Sequence, residues 1–452
     1  MTPRTSFPPG FVWGAAASAY QTEGAVDRDG RGISIWDRFC AVPGRIKDGT
    51  TGAVACDFYH RYREDISLMQ SLGLDAFRFS IGWPRVIPDG LGRVNARGLD
   101  FYDRLVDELL AVGVEPWVNL FHWDLPQPLQ EAGGWPERAT AEAFAAYAAV
   151  VGERLGDRVD HWITHNEPAC PAWLGHGLGI HAPGHENLAE ALAAAHHLLL
   201  SHGWAVGELR RCAPQAEVGI VVDSWPVYPW TESPADHAAA RLVDGMTSRW
   251  FFDALFRGKY PADVLEQFEA VAPRIESDDL AVIATPLDFV GANNYSRRFV
   301  CANPGGGLPL DMRPPTGELT SMGWEIYPPG IREVLTRLHR DYGVETLYVS
   351  ENGAAFSDVR THDGAIHDAD RIRYLESYLD EVAAALADGV PVRGYFVWSL
   401  LDNLEWSLGY TKRFGIVHID FATLKRTLKE SAKFYREVVK RGGVGWGFSR
   451  AD

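Results

Sequence analysis

Residues 57–80 read DFYHRYREDISLMQSLGLDAFRFS, and the fold is decided by how this stretch divides. Its first part sets Tyr59, Tyr62, Ile66 and Met69 at steps of three and four, the spacing of one apolar helix face. Gly73 then supplies a left-handed stop. AFRFS (76–80) follows as a short β-rich run. A helix, a glycine and a strand make one unit of a repeating pattern.

Outward from this unit, the same alternation recurs in both directions. Strand-like runs are FVWGAA (11–16), AFRFS (76–80), EPWVNLFH (115–122), HWITHNEP (161–168), EVGIVVD (217–223), DFVGANNY (288–295), TLYVSENG (346–353) and VRGYFVWSLLDN (392–403). Several are nearly continuous apolar runs, as parallel strands covered on both faces require. Helical periodicity fills 97–113, 136–156, 186–211, 235–258, 327–343 and 368–389, and a final helix is expected over 423–441. Gly113, Gly156, Gly343 and Gly389 read as further stops. Eight β-then-α units predict one α/β unit over residues 1–452, a (β/α)8 barrel. Two α/β domains joined near 301–323 are the rival reading, weakened because the rhythm is unchanged on either side.

The chain has 452 residues, and a barrel takes about 250, so roughly 200 lie in long loops. The stretches 40–56, 169–187 and 301–323 are the obvious ones. Hydrophobic residues make up 46% and charged residues 23%, which excludes a disordered chain. The net charge of −17 would repel a polyanion, so nucleic acid is not an expected partner. Five cysteines at 40, 56, 170, 212 and 301 form no disulfide framework and no zinc spacing. The opening MTPRTSFPPGF lacks an apolar core, and no run is long enough to span a bilayer. The expected address is the cytoplasm, with no membrane partner and either a monomer or a homo-oligomer.

Chemistry in this fold belongs where strands finish. The ends carry Gln21, Arg78, His122, Asn166, Glu167, Asn293, Tyr295, Glu351, Asn352 and Trp398, with Glu405 and Trp406 just beyond. Any one of them has a plain alternative, a salt-bridged strand end for Glu167 or an Asn-Gly turn acid for Glu351. Together, amides, an imidazole and indole faces suit a polyhydroxylated, uncharged ligand. Two carboxyls on the fourth and seventh strand ends are what glycosidic hydrolysis needs, one to protonate the leaving oxygen and one to meet the developing oxocarbenium ion. Arg78 and Tyr295 are placed to donate to Glu351, which predicts it as the ionised nucleophile. Glu167 has no cation beside it in sequence, and burial near like charge would make it the proton-bearing acid. A non-catalytic sugar-binding barrel is the rival from another class, and has no use for two facing carboxyls.

THNEP, YVSENG, FVWGAAASAYQTEG and WSLLDNLEWSLGYTKRFGIVHID resemble the family 1 glycoside hydrolases, specifically bacterial β-glucosidases, in order from about residue 7 to about 440. The resemblance implies a (β/α)8 barrel, no cofactor, a small β-glycoside as the substrate partner and net retention through a covalent glycosyl-enzyme. It implies Glu167 as acid/base and Glu351 as nucleophile. Gln21, His122, Asn166, Glu405 and Trp406 would hold sugar hydroxyls, with Trp398 as a stacking floor. Asn293, Tyr295 and Arg78 would support the nucleophile, Trp324 would face the aglycone, and Phe414 would lie near the sugar's 6-position. β-Galactosides and β-fucosides are compatible with the same set.

Three departures from the family pattern stand out. Asn293-Asn294-Tyr295 replaces an Asn followed by two tyrosines, Asp223 replaces a strand-end Asn, and His165 sits inside the acid/base motif, where its side chain should point away from the sugar. Glu405 would repel a 6-phosphate, and Lys412 would be a phosphate ligand only without it, so an unphosphorylated glycoside is expected over a 6-phospho-β-glycoside. GLGIHA (177–182) follows no strand and opens no helix, so it is not read as a dinucleotide fingerprint. The histidines at 176, 181, 185, 196 and 197 fit no metal spacing and are expected at the surface or in loops. The Asn294-Tyr295-Ser296 sequon should be inert.

Overall fold

A computed structural model describes residues 5–305 and 308–445. Eight parallel strands close on themselves: β1 (Val12–Ala16), β2 (Ala76–Ser80), β3 (Glu115–Phe121), β4 (His161–Asn166), β5 (Glu217–Asp223), β6 (Phe289–Asn293), β7 (Leu347–Asn352) and β8 (Val392–Trp398). Each pairs with its sequence neighbours, and β8 pairs with β1 to close the ring. All eight sequence runs supply a barrel strand. The ends differ by a few residues, most at β8, which stops at Trp398 where 403 was expected.

The helices that cover this barrel are α1 (Phe58–Leu72), α2 (Ala96–Ala111), α3 (Arg138–Leu155), α4 (Leu188–Cys212), α5 (Pro234–Asp244), α6 (Trp250–Arg257), α7 (Pro329–Tyr342), α8 (Ala369–Ala387) and α9 (Glu430–Arg441). On α1 the buried side includes Tyr59, Tyr62, Ile66 and Met69, the predicted face. Gly73, Gly113, Gly343 and Gly389 all take positive φ, as stops of this kind do. Gly156 does not: its φ is −67°. A Cβ there would lie 2.5 Å from the Gly152 carbonyl oxygen and 2.9 Å from the Ala213 Cβ, so close approach is what requires glycine.

Two helix expectations are corrected. The stretch 235–258 is not one helix, because the backbone widens into a π turn at Gly245–Arg249 between α5 and α6. The final helix begins at Glu430, and Lys425–Leu428 instead pairs antiparallel with Val417–Asp420. The Asp420 carboxylate accepts from the backbone N–H groups of Ala422 and Thr423, which makes the hairpin turn that periodicity alone did not reveal.

Inside the barrel, Trp117 packs among Phe289, Tyr348 and Phe396 with ring centroids 5.4, 4.7 and 5.0 Å away. These rings, with Ile163 and Val221, fill the lower interior and leave the C-terminal mouth for other residues. The long loops gather at that mouth. Loop 40–56 is tied to the segment after β8 by Lys47 N–H donating to the Ser407 carbonyl and Tyr410 N–H to Asp48. Loop 169–187 contains a π turn at Pro171–Gly177. Loop 301–323, of which residues 306 and 307 lie outside the described residues, adds Leu310–Arg313 to a small sheet with Arg298–Ala302 and Val227–Pro229. Residues 1–4 of the opening segment also lie outside. Among the described residues no helix is long and apolar enough to cross a membrane.

Candidate active site

The strand ends enclose a cavity of about 510 Å³ lined by Glu167, Glu351, His122, Tyr295, Trp324, Trp398, Glu405, Trp406 and Phe414 among others. A larger groove, about 1160 Å³, lies outside the barrel between α5 and α7. Arg337 pairs there with Asp244 and Arg332 with Asp388, and the groove holds none of the predicted residues. Size alone does not select the site.

Glu351, at the end of β7, is held through both oxygens. Arg78 Nη1, from β2, donates to Oε1 at 2.5 Å, and the Tyr295 hydroxyl donates to Oε2 at 2.6 Å. Burial beside Glu351 pushes the Tyr295 phenol well up, so it keeps the proton it donates. The next residue, Asn352, donates to the Asn294 carbonyl and accepts from the Tyr395 hydroxyl, which fixes the strand end behind the carboxylate.

Glu167 follows β4 with φ of +48°, a left-handed conformation unusual for a side-chain-bearing residue. Trp123 and Trp406 share it, so three of the eight such residues described line this one cavity. Strain of this kind costs roughly 1–3 kcal/mol each and is tolerated where the surroundings over-determine the position. Asn293 Nδ2 donates to Glu167 Oε1 at 2.6 Å, and the Cys170 thiol donates to Oε2 at 3.3 Å. Burial, then the Asp223 carboxylate, then Glu351 push the Glu167 pKa well up, against those two hydrogen bonds. Asp223 itself is pushed up to about 6 by burial, with Arg298 opposing. Because the cation sits by Asp223, Glu167 is the member that holds the proton.

Asn293 therefore corrects one expectation: its side chain donates to Glu167 and accepts from Ser350 Oγ at 2.7 Å, and it meets Glu351 as its register partner on the neighbouring strand, not through a side-chain hydrogen bond. Asn166 and Gln21 are fully buried, and neither lines the cavity. Asn166 Oδ1 accepts from Arg78 Nη2 at 2.5 Å, and its Nδ2 donates to His122 Nε2 at 3.0 Å. Gln21 donates to Asn403 and the Leu404 carbonyl, bracing the segment that carries Glu405. Arg78 likewise acts from behind the wall.

Burial, then Arg78, hold His122 well below the usual imidazole range, so the ring is neutral. Since Nε2 accepts from Asn166, the proton is assigned to Nδ1, a buried atom with no protein partner. Glu405 Oε2 is buried and unpartnered too, and burial and Glu351 push that carboxyl up to about 8, with Lys412 opposing. The argument that a charged Glu405 repels phosphate is thereby weakened: near neutral pH the side chain carries its proton much of the time. Lys412, however, is not in the cavity wall and donates to the Ser321 carbonyl.

His165 points outward as expected, stacked on Phe144 at 4.4 Å and bonded to Ser201 at 2.8 Å. Asn294 is fully buried, which keeps its sequon out of reach. The expectation of surface or loop histidines fails for His196, fully buried on α4 and bonded to Tyr260 and Asp279, and holds for His176, which is buried but within loop 169–187. His181 lines the cavity, as do Trp123, Cys170, Leu174, Trp225, Arg298, Met312 and Met322, none of which the sequence singled out for a sugar. Trp123 and Trp225, just past the ends of β3 and β5, carried a positional signal; the others come from loops and from the small sheet with Arg298–Ala302 and Leu310–Arg313. Donor atoms of Glu167, Cys170 and Asp223 lie within 4.8 Å of one another. A metal needs deprotonated ligands, whereas burial pushes all three groups up, so this cluster suits proton chemistry.

The sequence model described as Glycosyl hydrolase family 1 matches residues 3–444. Beta-glucosidase A of Acetivibrio thermocellus is 47% identical, over 97% of this chain and 99% of that protein. Beta-glucosidase A of Thermotoga maritima is 45% identical over 97% and 98%. The solved structure of the Thermotoga maritima beta-glucosidase in complex with glucoimidazole superposes with a TM-score of 0.95 at 45% identity, covering 97% of this chain and all of that one. With the barrel, the paired carboxyls and this likeness along nearly the whole chain, the protein belongs to glycosyl hydrolase family 1 and is a retaining glycoside hydrolase.

Proposed function

We propose that the protein is a retaining β-glucosidase that removes terminal non-reducing β-D-glucosyl residues from small β-glucosides and cello-oligosaccharides. One observation carries the assignment of roles: Glu351 accepts from a guanidinium and a phenol, whereas Glu167 is pushed to hold a proton. In the first step a Glu351 oxygen bonds the anomeric carbon, the bond from that carbon to the glycosidic oxygen breaks, and the Glu167 proton passes to the leaving oxygen. In the second, Glu167 takes a proton from water, the water oxygen bonds the same carbon, and the ester to Glu351 breaks. The route needs a carboxyl separation of about 5 Å.

His122 Nδ1–H and Glu405, with their free polar atoms, are read as holders of sugar hydroxyls, with Trp398 as the apolar floor and Trp406 beside it. Trp324 and Phe414, 6.0 Å apart, are read as the outer wall, Trp324 toward the aglycone and Phe414 near the 6-position. Asn166, Gln21, Arg78 and Asn293 are read as positioning residues. The position of Lys412 supports unphosphorylated substrates. A cytoplasmic address belongs to this reading, supported by five cysteines that are all unpaired. The test is hydrolysis of 4-nitrophenyl β-D-glucoside with the first-formed anomer followed by NMR, and trapping with a 2-fluoro glucoside. β-Glucose first and a label on Glu351 are expected; α-glucose first, or a label elsewhere, overturns the mechanism.

A further inference from the structure

Ser350 precedes Glu351 on β7, and the register there holds one residue more than its neighbour. Val349 stands opposite Ala292 of β6 and Glu351 opposite Asn293, so Ser350 is the extra residue of a β-bulge. Side chains along a strand alternate between its two faces, and a bulge re-aims one of them. Here the Ser350 hydroxyl meets Asn293 and donates to its Oδ1 at 2.7 Å.

That bond gives the Asn293 amide a direction. With Oδ1 taken by Ser350, Nδ2 donates to Glu167 Oε1 at 2.6 Å and to Asn166 Oδ1 at 3.3 Å. Asn166 Oδ1 also accepts from Arg78, which has donors only, so the Asn293 atom that faces it is assigned as nitrogen. Ser350, Asn293 and Asn166 are all buried, and no bulk water stands ready to replace a lost partner. An amide nitrogen donates and cannot accept. With Asn293 on Oε1, the Glu167 proton sits on Oε2, the oxygen that the Cys170 thiol meets.

We propose that Ser350 is a positioning residue for the proton donor: acting through Asn293, its hydroxyl keeps Glu167 Oε1 as the accepting oxygen and leaves Oε2 to pass the proton to the leaving group. The inference rests on the reading of Glu167 as acid/base. Without the hydroxyl, Asn293 Oδ1 is buried with no donor, and the amide loosens its hold on Oε1. The acid is then aimed less well. Its ionised form also loses part of a hydrogen bond that favours it, so the proton is held to higher pH. The titratable groups around Glu167 are Asp223 from β5, Glu351 from β7, Tyr295 past β6 and Cys170 in its own loop, with Arg78 behind Asn166 and Arg298 beside Asp223. Substitution of Ser350 alters none of them.

The test compares kcat/KM for ethyl β-D-glucoside, whose leaving group needs a proton, with that for 2,4-dinitrophenyl β-D-glucoside, whose leaving group does not. Ser350→Ala should slow the first about tenfold and the second far less. It should also move the alkaline limb of the ethyl glucoside profile toward higher pH. Ser350→Thr, which restores the hydroxyl, should recover both rate and limb. In an Asn293→Ala background Ser350→Ala should add nothing, because the relay is already cut. Ser350→Cys, similar in size and a weaker donor, should show the same pattern at smaller amplitude and stands in for a misfolded alanine variant. Equal slowing of the two substrates, an unmoved limb, or a Ser350→Ala effect that persists without Asn293 overturns the proposal. Glu167→Ala, run alongside, separates the failures. If it slows both substrates alike, the acid reading falls and this inference with it; if it separates them and Ser350→Ala does not, only the relay fails.

Discussion

Glu351 and Glu167 are carboxylic acids of the same kind, three strands apart in one barrel, and their surroundings oppose each other. Around Glu351 the neighbours are donors, a guanidinium and a phenol. Around Glu167 they are an amide, a thiol and, within the same 4.8 Å group, another carboxyl. Both side chains are buried, so burial does not separate their roles. The charge of the nearest neighbours does. A retaining site needs this asymmetry, because one carboxyl must stay bare while the other carries a proton to the leaving oxygen.

Removing the bare carboxylate should cost most. Glu351→Gln is expected to lower kcat by about 10⁴- to 10⁶-fold, on the scale seen when a nucleophile is lost, with folding checked by circular dichroism; ordinary turnover would end the assignment. Glu167→Ala should cost about 10²- to 10⁴-fold on alkyl glucosides and far less on 2,4-dinitrophenyl glucoside, whose leaving group needs no proton. Equal slowing of both substrates would remove the acid role. Tyr295→Phe deletes one hydrogen bond to a charged group, worth about 1.5–3 kcal/mol, so kcat/KM should fall roughly ten- to a hundredfold. An unchanged rate would mean that Arg78 alone holds Glu351.

The smallest effect sharpens the comparison most. Asp223→Asn replaces a like charge near Glu167 with a neutral amide, while Glu351, Cys170 and Arg298 remain. The proton on Glu167 is then held less firmly, so its pKa falls and the acid form is lost at lower pH. The alkaline limb of the kcat/KM profile should move toward lower pH with little change at the optimum. A limb that stays put, or moves upward, would show that Asp223 does not set the proton on Glu167.

Local chemistry wrote much of this into the chain. The helix-glycine-strand unit at 57–80 and its repeats carry the barrel, because strand and helix periodicity are properties of neighbouring residues. Strand ends in a parallel barrel share one mouth, so Glu167, Glu351, Arg78 and Tyr295 were legible as a group before any contact was known. What failed to show was held in place by loops or by turns. The second strand of the hairpin at 417–428 hid inside an apparent helix, and Cys170, His181, Arg298 and Met312 reach the cavity from segments in which the sequence showed no periodicity.

The order of eight strands thus follows from the sequence by itself, and so does the placing of Glu167 and Glu351 at strand ends that share one mouth. Only the packed structure decided that Asn293 bonds Glu167 and that Gln21 and Asn166 stand behind the cavity wall. The physical reason is range. Periodicity and capping act over a few residues, whereas a hydrogen bond such as Asn293 to Glu167 joins positions 126 apart, and its partner is chosen by how the strands close into a ring.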